Sequence, residues 1–344
     1  MKKISIPGPG GYEKLTIVEC DLRQLKDNEV HIEVHAFGVN FADVCIRWGL
    51  YESAKQYVGW PITPGFEWAG VVKNIGSKVS NVAIGQEVFG VSLFNAYATD
   101  VIVPSHQVFS KPKNISMSEA AGIPAVYLTA YYGLFQNIIL RPQSTILIHS
   151  AAGGVGGALV QMAKIAGHKS VGIIGSSHKR SYVEELGADL VIDKKTQNWF
   201  VEAKNFSQRG YDIVFDANGQ STLKKSFDLL APMGKLVSYG FHSMLPKKGG
   251  RLNWFKLIYT FLTTPRFNPI NMTNQNKSLI SFNLSFLFDE VDVLSQAMGD
   301  IVTWIESGQL KAPKVTQYSF SNVADAHRDI ESGQSVGKLI ILTK

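Results

Sequence analysis

Apolar and polar positions alternate along Val30-His31-Ile32-Glu33-Val34-His35, the period of a half-buried strand. Val71-Val72-Lys73-Asn74-Ile75 is a less regular case, and Gly and Pro punctuate the region at Pro7 to Gly11, Pro61, Pro64-Gly65, Gly76, Gly85 and Gly90. Residues 1–121 therefore read as β-rich. A helical pattern follows over Ser118 to Gln136, with Ser116 or Ser118 as its N-cap. Short β-branched runs then alternate with helical stretches to about residue 240. Strands are expected at Ile146–Ile148, Val171–Ile174, Val191–Ile192, Ile213–Phe215 and Leu236–Tyr239, with a further one over Leu279–Leu284. Such alternation predicts an α/β chain with a doubly wound parallel sheet. Leu252 to Leu262 is apolar and aromatic at the spacing of an amphipathic helix. Two readings stand for it. It packs over a cleft or at a subunit contact, or it touches a membrane surface with Lys247, Lys248 and Arg251 against anionic headgroups.

The strongest local signal lies where the strand Ile146-Leu147-Ile148 enters Ala151-Ala152-Gly153-Gly154-Val155-Gly156-Gly157 and a helical run over Ala158 to Lys164. A strand, a glycine turn and a helix in this order form the phosphate-binding element of a dinucleotide fold. Backbone N–H groups of Ala152, Gly153, Gly154 and Val155 would meet a pyrophosphate at the helix start. Gly153 would admit the phosphates, and Gly156 and Gly157 would let the helix approach its strand; Ala151 stands where the first glycine of the pattern is usual. The next strand ends at Gly175-Ser176-Ser177-His178-Lys179-Arg180. A fold that prefers NAD usually carries an acid there, on the ribose 2′-hydroxyl. Ser176, Lys179 and Arg180 suit a 2′-phosphate instead, so the expected cofactor is NADPH.

Composition adds bounds. The 344 residues are enough for two domains with sizeable cores. No run of about 18 apolar residues predicts a membrane span. The N-terminal residues are basic but lack the apolar stretch of a signal peptide. Two cysteines make no disulfide framework, which points to a reducing, cytoplasmic location. Net charge is +6, with the basic residues scattered, so no nucleic-acid partner is expected.

Several ordered motifs then carry a family resemblance. They are Gly38-Val39-Asn40-Phe41-Ala42-Asp43, Gly49-Leu50-Tyr51, Pro64-Gly65-Phe66-Glu67-Trp68-Ala69-Gly70, Tyr127-Leu128-Thr129-Ala130-Tyr131, the Ala-Ala-Gly-Gly-Val-Gly turn, Leu186-Gly187-Ala188-Asp189, Asp212 to Asp216 and Val336-Gly337-Lys338. The chain resembles the medium-chain dehydrogenase/reductase superfamily, on its zinc-independent quinone oxidoreductase branch, near the vesicle amine transport protein subgroup. The resemblance implies a GroES-like β-rich catalytic domain over 1–121 and 309–344, and a Rossmann cofactor domain over 122–308. It also implies a homodimer, with a strand near Leu279 pairing across it. Zinc-dependent relatives place a Cys in the segment held here by Val39-Asn40-Phe41, and a His where Phe66 stands. A structural zinc would need four thiolates, and the chain has only Cys20 and Cys45, so no metal is expected.

The implied activity is hydride transfer from NADPH to a quinone or an α,β-unsaturated carbonyl. Alternatives are an enoyl-thioester reductase and a membrane-associated NADPH-binding adaptor with little turnover. The resemblance directs attention to Asn40, Asp43, Tyr51 and Thr129. Asn40 would donate to the cofactor or to the substrate carbonyl, or only shape its loop. Asp43 would fix Asn40 or neighbouring backbone, or act as an ordinary acid at a helix start. Tyr51 is a proton donor or a cleft wall. Thr129 faces the nicotinamide or bonds its own backbone. Tyr127 and Asn218 are weaker cofactor contacts or plain packing. Lys194, where many relatives have Tyr, adds phosphate affinity or is solvated. His149 reads as structural, Cys45 as a small buried hydrophobe, and Arg47 as an anion anchor or a solvated charge.

Overall fold

The computed structural model describes residues 1–244 and 252–344. They form two compact units, one of residues 1–128 and 284–344, the other of residues 129–244 and 252–283.

The first unit is built on Glu29–Val39, the strand whose alternation opens the chain. It pairs antiparallel with Glu67–Ile75, Asp100–Pro104 and Lys338–Leu342. The sheet extends through Glu87–Val91 to Val108–Ser110 on one side, and on the other through Lys338–Leu342 to the parallel strand Val315–Ser319. Breaks in register on Glu29–Val39, at His31/Ile32 and Val34/Ala36, let one strand serve several partners. The core beneath it holds Val30, Ile32, Val34, Phe37, Trp68 and Tyr97. The C-terminal segment thus joins the β-rich unit, as expected.

In the second unit six parallel strands run in the spatial order Leu190–Asp193, Lys169–Ile174, Thr145–His149, Tyr211–Asp216, Leu230–Ser238, Ser278–Ser281. Chain order reverses at Thr145–His149, which makes the sheet doubly wound. Leu147, Val171, Ile173, Ile192, Val214 and Leu236 are buried, as befits strands covered on both faces.

Residues 122–128 and 284–308 group with the first unit, and two expectations about elements need correction. The helix Val291–Glu306 buries Ile301 and Ile305 there, and Asn114 Nδ2 donates to the Ile305 carbonyl at 2.7 Å. The single helix over 118–136 is three pieces, Met117–Ala120, Pro124–Tyr131 and a π-type turn at Tyr132–Gln136. Pro124 cannot supply the N–H that a continuous helix requires, and Ser116, one of the two expected caps, accepts from Glu119 N. The last strand ends at Ser281, and Leu284 starts a 3-10 turn. The apolar segment near 252–262 is a helix, Trp254–Thr263, capped by Asn253. Lys247, Lys248 and Arg251, invoked beside it, lie outside the described residues.

Candidate active site

In the first unit, Glu29–Val39 ends at Asn40, the N-cap of the helix Phe41–Arg47. Asp43, in the first turn, reaches back: its Oδ2 accepts from Asn40 N at 2.8 Å. The same carboxyl accepts from Gly65 N at 3.0 Å and from the Tyr97 hydroxyl at 3.1 Å. Asp43 has no exposed surface, and burial pushes its carboxyl up to about 7 against the pull of these donors. It ties the backbone of Asn40 to that of Gly65.

The Asn40 side chain is clamped at both ends. Lys338 Nζ donates to Asn40 Oδ1 at 2.5 Å, and Asn40 Nδ2 donates to Glu67 Oε1 at 2.8 Å. An ammonium only donates, so the amide orientation is dictated by chemistry. Lys338 also pairs with Glu67 at 2.5 Å, and Glu67 Oε2 accepts from Ala125 N at 2.8 Å, at the start of Pro124–Tyr131. That helix start favours a negative charge. Gly38 makes the room: a Cβ there would stand 2.3 Å from Glu67 Oε1 and 2.8 Å from the Ala121 carbonyl. One amide hydrogen of half-buried Asn40 remains beyond the Glu67 bond.

Glu67 and Lys338 were not among the expected site residues. Their signal was present in the Pro-Gly-x-Glu and Val-Gly-Lys motifs, but nothing along the chain shows that the two meet. Tyr51 is the N-cap residue of the helix Glu52–Tyr57, and its ring packs edge-on to Phe66 at 5.8 Å. Tyr127 is buried, and its hydroxyl donates to the Lys311 carbonyl at 2.7 Å within this unit. Arg47 is not solvated: it is buried and holds a carboxylate of the chain itself, in an ion pair with Glu331 at 2.7 Å. Cys45 is half-buried, with its thiol pushed up to about 12 by desolvation, hence inert.

The residues at the family's zinc position do not fit a metal. Both Glu67 oxygens hold donors, the nearest cation is Lys338, and Phe66 packs on Phe94 with ring centroids 5.3 Å apart. Among the described residues no group of three His, Cys, Asp or Glu is placed to share an ion.

In the second unit the glycine turn stands as expected. Gly153 caps the helix Gly154–Ile165, whose first internal bond runs from Gly157 N to the Gly153 carbonyl. Of the N–H groups before it, that of Gly153 donates to the Ser150 carbonyl at 2.9 Å, while those of Gly154, Val155 and Gly156 have no acceptor within the helix. A Cβ on Gly153 would meet only the Ser150 carbonyl, at 3.4 Å, whereas one on Gly156 would lie 2.3 Å from that oxygen. Gly153 leaves open space, and Gly156 is required for helix–strand contact. Ala151 is tolerated because the left-handed residue is Ser150, with φ 55°.

Two strand ends complete this half. Lys194 N donates to the Ile174 carbonyl, and Lys194 Cε comes within 3.7 Å of where a Gly175 Cβ would be. Ser176 and Lys179 are joined by a backbone bond, Lys179 N to the Ser176 carbonyl, and both are buried. Lys194, Ser176 and Lys179 are thus gathered at the ends of neighbouring strands. Arg180 turns to the Val191 carbonyl at 2.7 Å and to Gln197. A carboxylate does stand here, supplied by the adjacent strand: Asp193, held below its ordinary range by Ser177 Oγ at 2.5 Å and by Lys195 N.

Beyond Tyr211–Asp216, Asp216 Oδ1 accepts from Asn218 N, Gly219 N and the Thr222 hydroxyl. Asn218 Oδ1 accepts from Ser150 Oγ at 3.3 Å, while Asn218 Nδ2 is buried with no hydrogen-bond partner. An unmet buried donor costs about 1–3 kcal/mol, which a bound dinucleotide would relieve. His149 is buried, 3.0 Å from Ser226 Oγ, which donates to Asp216 at 2.8 Å; it is structural. Thr129, half-exposed among buried neighbours over 121–131, also belongs to this unit.

Comparison with known proteins agrees with this architecture. Residues 26–148 match the alcohol dehydrogenase GroES-like domain family, and residues 186–341 match the zinc-binding dehydrogenase family. The synaptic vesicle membrane protein VAT-1 homolog of Danio rerio is 33% identical over 344 residues, covering 100% of this chain and 70% of that protein. The Escherichia coli quinone oxidoreductase complexed with NADPH superposes with a TM-score of 0.85 at 28% identity, covering 100% of both chains. CurK enoyl reductase superposes at 0.84 with 27% identity, over 100% of this chain and 99% of its own. The chain belongs to the medium-chain dehydrogenase/reductase superfamily, with a GroES-like unit and a Rossmann unit, close to the VAT-1 homologues and the quinone oxidoreductases.

Proposed function

We propose that this protein is an NADPH-dependent, zinc-independent reductase that delivers hydride to a quinone or an α,β-unsaturated carbonyl. The observation that carries the reading is the Asn40 amide held between Lys338 and Glu67. Lys338 on Oδ1 draws electron density from the amide, so the Nδ2–H left over from the Glu67 bond becomes a stronger donor toward an acceptor oxygen. A preformed donor of this kind gains strength as negative charge grows on that oxygen, and it needs no reorganisation. Quinones and enones suit such a site because addition of hydride leaves a delocalised oxyanion.

The dinucleotide would be held by the backbone of Ala152 to Val155, by Asn218 Nδ2, and by Ser176, Lys179 and Lys194 around a 2′-phosphate. When bound, the nicotinamide supplies the hydride. Asn40 orients the acceptor, Asp43 keeps Asn40 in place, and Thr129 lines the nicotinamide side. Solvent or Tyr51 supplies the balancing proton.

NADPH oxidation by the purified protein against ortho- and para-quinones, enones and enoyl thioesters, with NADH in parallel, tests this reading. Turnover with quinones or enones is expected. Turnover confined to enoyl thioesters would replace the acceptor class. In the Lys179→Ala variant, NADPH should weaken about tenfold while NADH changes little. Equal losses for both nucleotides would remove Lys179 from the 2′-phosphate.

One observation favours a second reading, membrane attachment. On the helix Trp254–Thr263, Phe255 is 88% exposed, Phe261 73% and Trp254 63%. No described helix is long and apolar enough to cross a membrane, so the contact would be peripheral. Flotation with liposomes should carry the protein upward, and Phe255→Ser/Phe261→Ser should leave it at the bottom. Failure of the unaltered protein to float, with or without anionic lipid, would end this reading.

A further inference from the structure

Asp43 and Arg47 stand four residues apart on Phe41–Arg47, and His327 and Glu331 four apart on Val323–Ser332. This spacing puts each pair on one face of its helix. The faces meet inside the first unit. Arg47 Nη2 donates to Glu331 Oε1 at 2.7 Å, and Arg47 Nη1 lies 3.1 Å from His327 Nδ1. His327 Nε2 lies 3.1 Å from the Tyr97 hydroxyl, which lies 3.1 Å from Asp43 Oδ2. Arg47, His327, Tyr97 and Asp43 have no exposed surface. At the outer end Tyr12 donates to Glu331 Oε2 at 2.7 Å, its ring held between the guanidinium groups of Arg47 and Arg328.

The direction of every bond follows from donor chemistry. A guanidinium cannot accept, so His327 Nδ1 must accept. The neutral imidazole then carries its proton on Nε2 and donates it to the Tyr97 oxygen. That leaves the Tyr97 hydrogen for Asp43. Burial and the adjacent Arg47 hold His327 well below its ordinary range, in keeping with a neutral ring.

We propose that Arg47, His327 and Tyr97 are positioning residues for the reduction. They form a one-way hydrogen-bond file that delivers the Tyr97 hydroxyl to Asp43 and so sets the place of Asn40. The inference rests on the reductase reading for its kinetic consequence, and on geometry alone for the file. A helix of seven residues has little stability of its own, so its N-cap depends on such ties.

Several charged and titratable groups surround Asp43. Cys45 and Arg47 lie on its own helix, Tyr97 on the loop before Asp100–Pro104, and Glu67 and Lys338 on strands. His327 and Glu331 come from the C-terminal helix. Of these only Tyr97 donates to Asp43 through a side chain; the other two donors are the backbone N–H groups of Asn40 and Gly65. Removing the Tyr97 hydroxyl leaves the Asp43 carboxylate less stabilised, so its titration moves to higher pH.

In Tyr97→Phe the acid limb of kcat/KM should therefore rise by about one pH unit. Turnover should fall while the KM for NADPH stays put. His327→Gln should keep the wild-type profile, because its amide accepts from Arg47 and donates to Tyr97; His327→Leu should behave like Tyr97→Phe. A wild-type profile in both Tyr97→Phe and His327→Leu overturns the positioning role. Nitrogen-15 NMR of the unaltered protein should show His327 protonated at Nε2 and not titrating between pH 8 and 5. Carboxyl carbon-13 NMR should show Asp43 titrating higher in Tyr97→Phe. Protonation at Nδ1, or an unmoved Asp43, overturns the file itself. These NMR outcomes decide the file even if no acceptor is reduced, which separates its failure from failure of the reductase reading.

Discussion

Replacing Lys338 with Met destabilises the protein by about 3–5 kcal/mol and lowers turnover about a hundredfold. Lys338 is 4% exposed and Glu67 is fully buried, 2.5 Å apart. Without the ammonium, Glu67 is a buried charge left with Asn40 Nδ2 and Ala125 N as donors among the described residues. The loss should be read by chemical denaturation. The double variant Glu67→Gln/Lys338→Met should recover most of the stability, since a neutral pair no longer strands a charge. It should not recover turnover, because the charge that polarises Asn40 is gone. That separation of stability from activity distinguishes an electrostatic role from a packing role. A Lys338→Met protein that is as stable and as active as the original would refute the role assigned to the clamp.

The second large effect concerns the turn. Gly156→Ala places a methyl group 2.3 Å from the Ser150 carbonyl and 2.7 Å from the Ala151 Cα. Both obstacles are backbone, so the helix must leave its strand. Overpacking of this kind costs about 1–3 kcal/mol. The helix start moves with it, and affinity for NADPH should fall at least about tenfold, measured by fluorescence titration. Gly299→Ala is the contrast, since nothing lies within 4 Å of its Cβ and it sits inside Val291–Glu306. There the substitution should stabilise by about 0.5–1 kcal/mol and leave nucleotide binding unchanged. Equal nucleotide affinity in Gly156→Ala and in the unaltered protein would show that the turn is not the phosphate site.

The exposed face of Trp254–Thr263 was foreseen as an amphipathic helix, yet its period could not say which surface the apolar face would meet. The same gap appears at Arg47. Within Ala42 to Arg47 it reads as an anion anchor or a solvated charge, and only the arrival of His327 and Glu331 from the far end of the chain decides that it is buried. At Asn218 no motif tells that its Nδ2 is buried and unmatched. At Tyr127 none tells that its hydroxyl meets the Lys311 carbonyl, 184 residues away.

Period and punctuation in the chain were enough for the strands, the doubly wound sheet and the phosphate turn. Those features are written in residues a few positions apart: β-branched runs, glycines that allow close approach, and caps such as Ser116. The tertiary structure alone decided where one unit ends and the other begins, and which polar groups meet. Lys338 and Asn40 are 298 residues apart, and Arg47 and His327 280. No local period encodes such a meeting. It follows from the return of the C-terminal strand to the edge of Glu29–Val39, which brings buried charges together where each must find a partner.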